Sequence, residues 1–173
     1  MGTDRRTFLL MPLALAACGF TPAYKKGGPA EALLGQVRAA DPDTKEAFAF
    51  VQRIEERLGR PERHLYDLDY AITTKTDGVG VTADNRTTRY NISGVVTFRI
   101  SDTLSGTVLA SGRAQSFTAF NATGSTVAML AAEEDAQSRL MSILADQVVA
   151  RLIAEMAALQ RRNSARASSP SAG

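Results

Sequence analysis

Apolar side chains recur along this chain with two different periods, and the switches between them divide it into elements. Phe50, Val51, Ile54 and Leu58 fall at helical spacing with Ala47 one turn before them, and Gln52, Arg53, Glu55, Glu56 and Arg57 take the opposite side. Asp41 can accept from the free amides at the start of this helix and Pro42 suits its first position, while Gly59, Arg60 and Pro61 end it. Past His64 the period drops to two. Tyr66, Leu68, Tyr70 and Ile72 alternate with Asp67, Asp69, Ala71 and Thr73, which predicts a strand with one buried face. Thr76 to Asn85, with Gly78-Val79-Gly80 inside it, reads as a polar turn. The next strand sets Tyr90, Ile92, Val96, Phe98 and Ile100 on one face and Arg89, Asn91, Ser93, Val95, Thr97 and Arg99 on the other. Gly94 interrupts its apolar row and reads as a bulge.

Asp102 to Gly106 makes a turn into a third alternating run. Leu109, Arg113 and Phe117 share one of its sides and Val108, Ala110, Gly112 and Ala114 the other, so the two strands form a hairpin whose buried side on this arm the pattern leaves open. Asn121 to Ser125 is a turn cluster in which Thr123 or Ser125 can cap a long second helix. Leu140, Leu144, Val148, Leu152 and Met156 lie four apart in that helix, with Ile143, Val149, Ile153 and Leu159 widening the stripe. Near the start of the chain's folded part, Leu33, Leu34 and Val37 predict a first short strand. The resulting order is strand-helix-strand-strand-strand-helix. Its economical packing is an α+β domain with two amphipathic helices on one face of a four-stranded sheet. The other face is left polar, rich in Thr, Ser, Asn and Arg.

The first residues add a different kind of signal. A basic start, Arg5-Arg6, precedes an apolar run from Phe8 to Leu15 that is too short to span a bilayer, so it reads as an export signal. It ends in Leu15-Ala16-Ala17-Cys18-Gly19, which resembles a bacterial lipobox. In that motif a dedicated peptidase cuts before a cysteine whose thiol has been lipidated. Cys18 is then the lipidation site and the first mature residue, and its acyl chains hold the protein on the membrane at roughly 0.8 kcal/mol per buried CH₂. Gly19 stands where an Asp resembles an inner-membrane retention signal, which favours the outer membrane. Asp4-Arg5-Arg6-Thr7-Phe8-Leu9 also resembles a twin-arginine signal, with Asp where Ser or Thr is usual.

The domain plan that follows is 1–17 signal peptide, 18–31 lipidated N-terminus and tether, 32–160 a single α/β sandwich domain, and 161–173 a disordered tail rich in Ser, Ala and Arg. The stretch from Thr21 to Pro29 reaches no more than about 30 Å, which keeps the domain near the bilayer. Lys25 and Lys26 within it suit either anionic headgroups or plain solvent. The mature chain carries eighteen basic and seventeen acidic residues, a balance that points to no particular partner, and no basic block interleaved with aromatics indicates nucleic acid. With one cysteine, taken up by lipid, disulfides, thiolate metal sites and cysteine catalysis are excluded.

Candidate chemistry elsewhere is thin. Asp67 and Asp69 point the same way, but no other ligand lies near them in sequence and a solvated strand face accounts for them. His64, the one histidine, sits beside a proline-bearing bend and reads as surface. Glu133, Glu134 and Asp135 point in different directions around a helix and suit its N-terminal dipole better than a metal. Gly78-Val79-Gly80 lacks the Lys-Ser/Thr ending of a phosphate loop. No Ser/His/Asp set or glycine-framed nucleophile is present, so a periplasmic hydrolase finds no support, and the expectation is a non-enzymatic chain with no cofactor and no metal.

Several stretches together resemble one family. Ala17-Cys18-Gly19-Phe20-Thr21-Pro22, the Thr88-Arg89-Tyr90 strand leading into Ser101-Asp102, the Ser111-Gly112 pair, and a closing helix from Ala132-Glu133-Glu134-Asp135-Ala136 to Ala150-Arg151-Leu152 are similar in order and spacing to the LPS-assembly lipoprotein LptE family. The likeness runs from Cys18 to about Leu159. It implies an outer-membrane lipoprotein on the periplasmic side that sits inside the lumen of an LptD-like β-barrel, helps it fold, plugs it and aids passage of lipopolysaccharide to the outer leaflet. It also implies lipopolysaccharide contacts through basic residues, but the family's positions carry no Arg or Lys here. Arg86 and Arg89 beside the hairpin turn are the nearest substitutes, and Arg99 shares the polar face as a candidate for barrel contact. An auxiliary lipoprotein of an ABC-type lipid transporter shares the lipobox and a small α/β domain, and is the alternative.

Overall fold

The computed structural model describes residues 28–61, 63–81, 87–122 and 124–168. Among them the chain forms β1 (Val37–Ala39), α1 (Lys45–Leu58), β2 (Tyr66–Val81), β3 (Thr87–Asp102), β4 (Val108–Asn121) and α2 (Thr126–Ser168). The result is an α+β arrangement of two helices and one mixed four-stranded sheet in the order β1-β2-β3-β4. β1 runs parallel to β2 because α1 is the crossover between them, whereas β2, β3 and β4 are joined as antiparallel hairpins.

The period-two pattern decides which face is dry. Leu68, Tyr70 and Ile72 of β2 stand opposite Ile100, Phe98 and Val96 of β3, and those stand opposite Ala110, Gly112 and Ala114 of β4. The buried side of β4 is therefore its side of small residues, and the reason is space. A Cβ on Gly112 would come within 2.9 Å of Phe98 Cζ. Both helices pack on this face. Phe50, Ile54 and Leu58 of α1 and Leu140, Leu144, Val148 and Leu152 of α2 are at most 1% exposed and share one cluster with Leu68, Ile92, Val96 and Ile100. Each such side chain contributes about 1.5–3 kcal/mol by leaving water. Ile143 sits at the margin of the stripe, exposed rather than packed.

Gly94 is where the structure departs most usefully from the pattern. It is no bulge, since it pairs in register with Thr74 and Ser116, and the register shifts fall at Gly78/Gly80, Gly80/Val81 and Ile100/Ser101. It is a glycine because α2 crosses the sheet there: a Cβ would lie 3.0 Å from both Leu140 Cδ2 and Leu144 Cδ1. Thr76 to Val81 continue β2 instead of turning, because β3 offers them a partner as far as Thr87, and residues 82–86 lie outside the described residues. α1 is capped by Thr44, whose hydroxyl accepts from Ala47 N at 3.1 Å, and not by Asp41. The chain spends residues 40–43 climbing from the sheet edge to the helix layer. Leu33 and Leu34 precede β1 in turns, held by Leu34 N donating to Ala30 O and Gly35 N to Leu58 O.

α2 is capped by Ser125, whose hydroxyl accepts from Ala128 N at 3.3 Å. It runs past Gln160, where the apolar stripe ends, to Ser168, because no Pro or Gly interrupts the chain before Pro170. Two contacts fix its register on the sheet. Thr118 Oγ1 donates to Ala136 O at 2.9 Å, and the Arg151 guanidinium donates to Arg113 O. Against α1 it is tied by Asp146, which accepts from Arg53 Nε and Nη2 at 3.1 and 3.0 Å and lies 3.3 Å from Arg57 Nε. The Asp146 carboxylate, and after it Glu56, raises the Arg53 guanidinium further above its ordinary range.

Candidate partner-facing surface

With both helices on one side, the opposite face of the sheet is uncovered from β1 to β4. Two of its ion pairs cross strands and a third lies within β2. Arg38 of β1 lies 3.1 Å from Asp67 of β2, Arg99 of β3 lies 3.7 Å from Asp69 of β2, and Lys75 lies 2.7 Å from Asp77. Exposed pairs of this kind contribute about 0–1 kcal/mol each, so they decorate the face more than they hold it. Asp67 also has His64 Nε2 at 3.9 Å. Both carboxylates singled out in sequence are thus countered by cations, and no set of three metal-ligating side chains occurs among the described residues. Glu134 and Asp135 pair with Lys45 at 3.4 Å and Arg139 at 3.1 Å.

Cys18 and Arg86 lie outside the described residues. Arg89 and Arg99 are on this face as their alternation required, but the structure does not bring them together. Ten residues of strand separate them, about 33 Å. Arg89 is level with Asn121 at the far end of β4, while Arg99 is level with Ser111 near its beginning and already faces Asp69. The pattern missed two stronger features of the face. Arg113, opposite Thr97, is exposed and has no carboxylate partner among the described residues. Phe117, opposite Ser93, is 69% exposed, a full aromatic ring on the polar side of an edge strand. Both belong to the side of β4 that the core rejects, so they become legible once Ala110, Gly112 and Ala114 are assigned inward.

A cleft of about 490 Å³ lies elsewhere, between β1 and α1, lined by Val37, Phe48, Val51, Glu55 and Arg60 among others. Glu55 and Arg60 in it are paired at 2.8 Å. Tyr70 packs its ring 5.0 Å from that of Phe50, and burial, followed by the charges of Asp43 and Asp41, pushes its hydroxyl up from the ordinary phenol range. It stays a neutral core residue.

Residues 36–152 match the LptE family, described as lipopolysaccharide-assembly, which covers more than half of the chain. The chain belongs to the LptE family. No curated protein sequence matches it. Among solved structures, this LptE-family chain is similar in fold to a Caulobacter crescentus CB15 protein described as a lipoprotein, with a TM-score of 0.63 at 16% identity over 74% of this chain and 96% of that one. It is also similar to the rare lipoprotein B of Shewanella oneidensis, TM-score 0.51 at 10% identity over 75% and 97% of the two chains. A minor lipoprotein of Acinetobacter baumannii gives 0.51 at 14% identity over 69% and 89%. At these identities the LptE-family chain shares an architecture with them, and its contacts must be read from its own residues.

Proposed function

We propose that this LptE-family lipoprotein is lipidated at Cys18, resides at the periplasmic side of the outer membrane, and works by binding: it seats its uncovered sheet face against the lumen wall of an LptD-like β-barrel and so assists lipopolysaccharide assembly without chemistry of its own. The observation that carries the reading is that uncovered face, with Phe117 exposed on it and Arg113 without a carboxylate partner among the described residues, while both helices pack on the other side. The interior wall of an outer-membrane barrel is polar, which suits a face of Thr, Ser, Asn and paired charges, with Phe117 as an aromatic anchor. Arg89 and Arg99 mark the two ends of the contact, and lipopolysaccharide, with its phosphates, is the cargo such cations suit.

Capture of the barrel from detergent-solubilised outer membranes tests this. Wild-type protein brings down one large barrel protein. Arg89→Glu with Arg99→Glu, and separately Phe117→Ser, keep the unfolding midpoint but lose barrel, since like charges or unfilled contacts in an interface cost several kcal/mol. Full barrel recovery with both variants refutes the face. Recovery of inner-membrane transporter components in place of a barrel replaces the reading with the transporter-auxiliary one.

A further inference from the structure

One end of the domain gathers features that neither the core nor the sheet face uses. β1, β2 and β4 begin there and β3 ends there. Leu65 N donates to Gln36 O and Thr103 N to Leu65 O, which draws Leu34, Leu65 and Leu104 to one rim, with Val108 opposite Ser101 beside them. All four are exposed, Leu104 to 90%. Leu104 is also held in place. Asp102 Oδ1 accepts from Leu104 N at 3.1 Å, from Ser105 N at 2.8 Å and from Ser105 Oγ at 2.8 Å, which fixes the backbone of the turn that carries the leucine.

The end of α2 arrives at the same rim. Between its two contacts with β4, five strand residues from Thr118 to Arg113 span about 17 Å while fifteen helix residues from Ala136 to Arg151 rise about 22 Å. Past Leu159, its last residue packed on the core, α2 continues in this direction with Arg161, Arg162 and Arg166 exposed. Arg60 and Arg63 join them from the loop after α1, whose end is tied to this rim through Gly35. Among the described residues the acidic groups nearby are Glu31, Asp67, paired with Arg38, Glu55, already paired with Arg60, and Asp102, turned into its own loop, and Glu62 stands between Arg60 and Arg63 in the sequence. Toward the N-terminus only ten residues separate Gly28 from Cys18, a reach of at most about 34 Å.

We infer that, before it joins a barrel, the lipoprotein stands on the membrane with this end down, its leucines at the interface and its arginines on the phosphates of anionic lipids. The inference rests on lipidation of Cys18. It gives the anchor a direction, since the sheet face is then presented sideways along its full length. Arg63, Arg161, Arg162 and Arg166 near an anionic surface each contribute roughly fivefold to partitioning, and the leucines add to it.

The test uses the lipidated mature protein in phosphatidylglycerol vesicles carrying nitroxide on the headgroups. A fluorophore on Leu104→Cys is quenched, while one on Val127→Cys, at the other end of the domain and 77% exposed, is not. In a second arm the mature chain with Cys18→Ser partitions onto phosphatidylglycerol vesicles and not onto neutral phosphatidylcholine, and Arg161→Gln with Arg162→Gln lowers that partitioning about twentyfold. Equal quenching at both positions, or partitioning indifferent to headgroup charge and to the arginines, overturns the inference. Mass spectrometry of residue 18 reads the anchor separately: absence of acyl mass refutes the lipidation, whereas an acylated protein whose Leu104 probe is no better quenched than the Val127 probe refutes only the orientation.

Discussion

Gly94 is small so that a helix can cross a sheet, and that claim has a numerical consequence. In Gly94→Ala the new methyl meets Leu140 Cδ2 and Leu144 Cδ1, each at 3.0 Å, and both leucines are fully buried with no solvent to swing into. Overpacking of this kind costs about 1–3 kcal/mol, from which the reduced chain entropy of replacing glycine returns roughly 0.4–1. Leu144→Ala alone removes a fully buried side chain and leaves a cavity, for a loss of about 2–5 kcal/mol. Combined, the two changes relieve each other, because the methyl at 94 enters the space Leu144 vacates. The double variant is therefore more stable than the sum of the singles predicts by about 1–2 kcal/mol, within the range for residues in contact. Urea unfolding followed by circular dichroism reads this directly, since with a slope of roughly 1–3 kcal/mol per molar the coupling moves the midpoint by about a molar. Additivity within about 0.5 kcal/mol would show that Gly94 is not the crossing point.

Thr44→Ala removes the hydroxyl that caps α1 and lowers stability by about 0.5–2 kcal/mol, measured by the same melts, whereas Asp41→Ala leaves it within about 0.5. The amide and hydroxyl of Ser105, with the amide of Leu104, hold the Asp102 carboxyl below the usual carboxylate range. Its contribution is therefore present above the unfolded value of about 3.9 and disappears as pH falls through the lower folded value, so the stability gap between wild type and Asp102→Asn narrows on acidification below about pH 4. A gap unchanged between neutral and acid pH would remove that carboxylate from the account. Cys18→Ala leaves an uncut, unacylated precursor in the membrane fraction, checked by intact mass.

The periodic elements were legible in the sequence because each buries one stripe: the alternation from Tyr66 to Ile72 and from Tyr90 to Ile100, and the four-residue rhythm from Leu140 to Met156, all point to the core they form. What escaped depended on neighbours distant in the chain. Thr76 to Val81 look like a turn until β3 supplies their partners, and Gly94 looks like a bulge until α2 is laid over it. The buried side of β4 could not be read alone, because its small inward residues are chosen by Phe98 on the adjacent strand. Phe117 escaped for the same reason. The arginines at 161, 162 and 166 looked like a tail once the apolar stripe ended, although nothing there breaks a helix. Of the candidate site, the polar face and two of its arginines followed from alternation, while the distance between Arg89 and Arg99 followed only from counting residues along an unbroken strand.

β1 is three residues long, and it pairs only with Tyr66, Asp67 and Leu68. Beyond that point β2 runs on with β3 on one side and an open edge on the other, and from Thr73 to Val79 its side chains are exposed on both faces. Amides near Leu68 can exchange with solvent only when the core itself opens, at close to the full free energy of unfolding. Those from Thr73 onward are guarded by a single ladder and no packing, so their exchange reports only local opening. One continuous strand thus spans a wide range of protection, firmest beside the three-residue β1 and most readily opened locally from Thr73 to Val79.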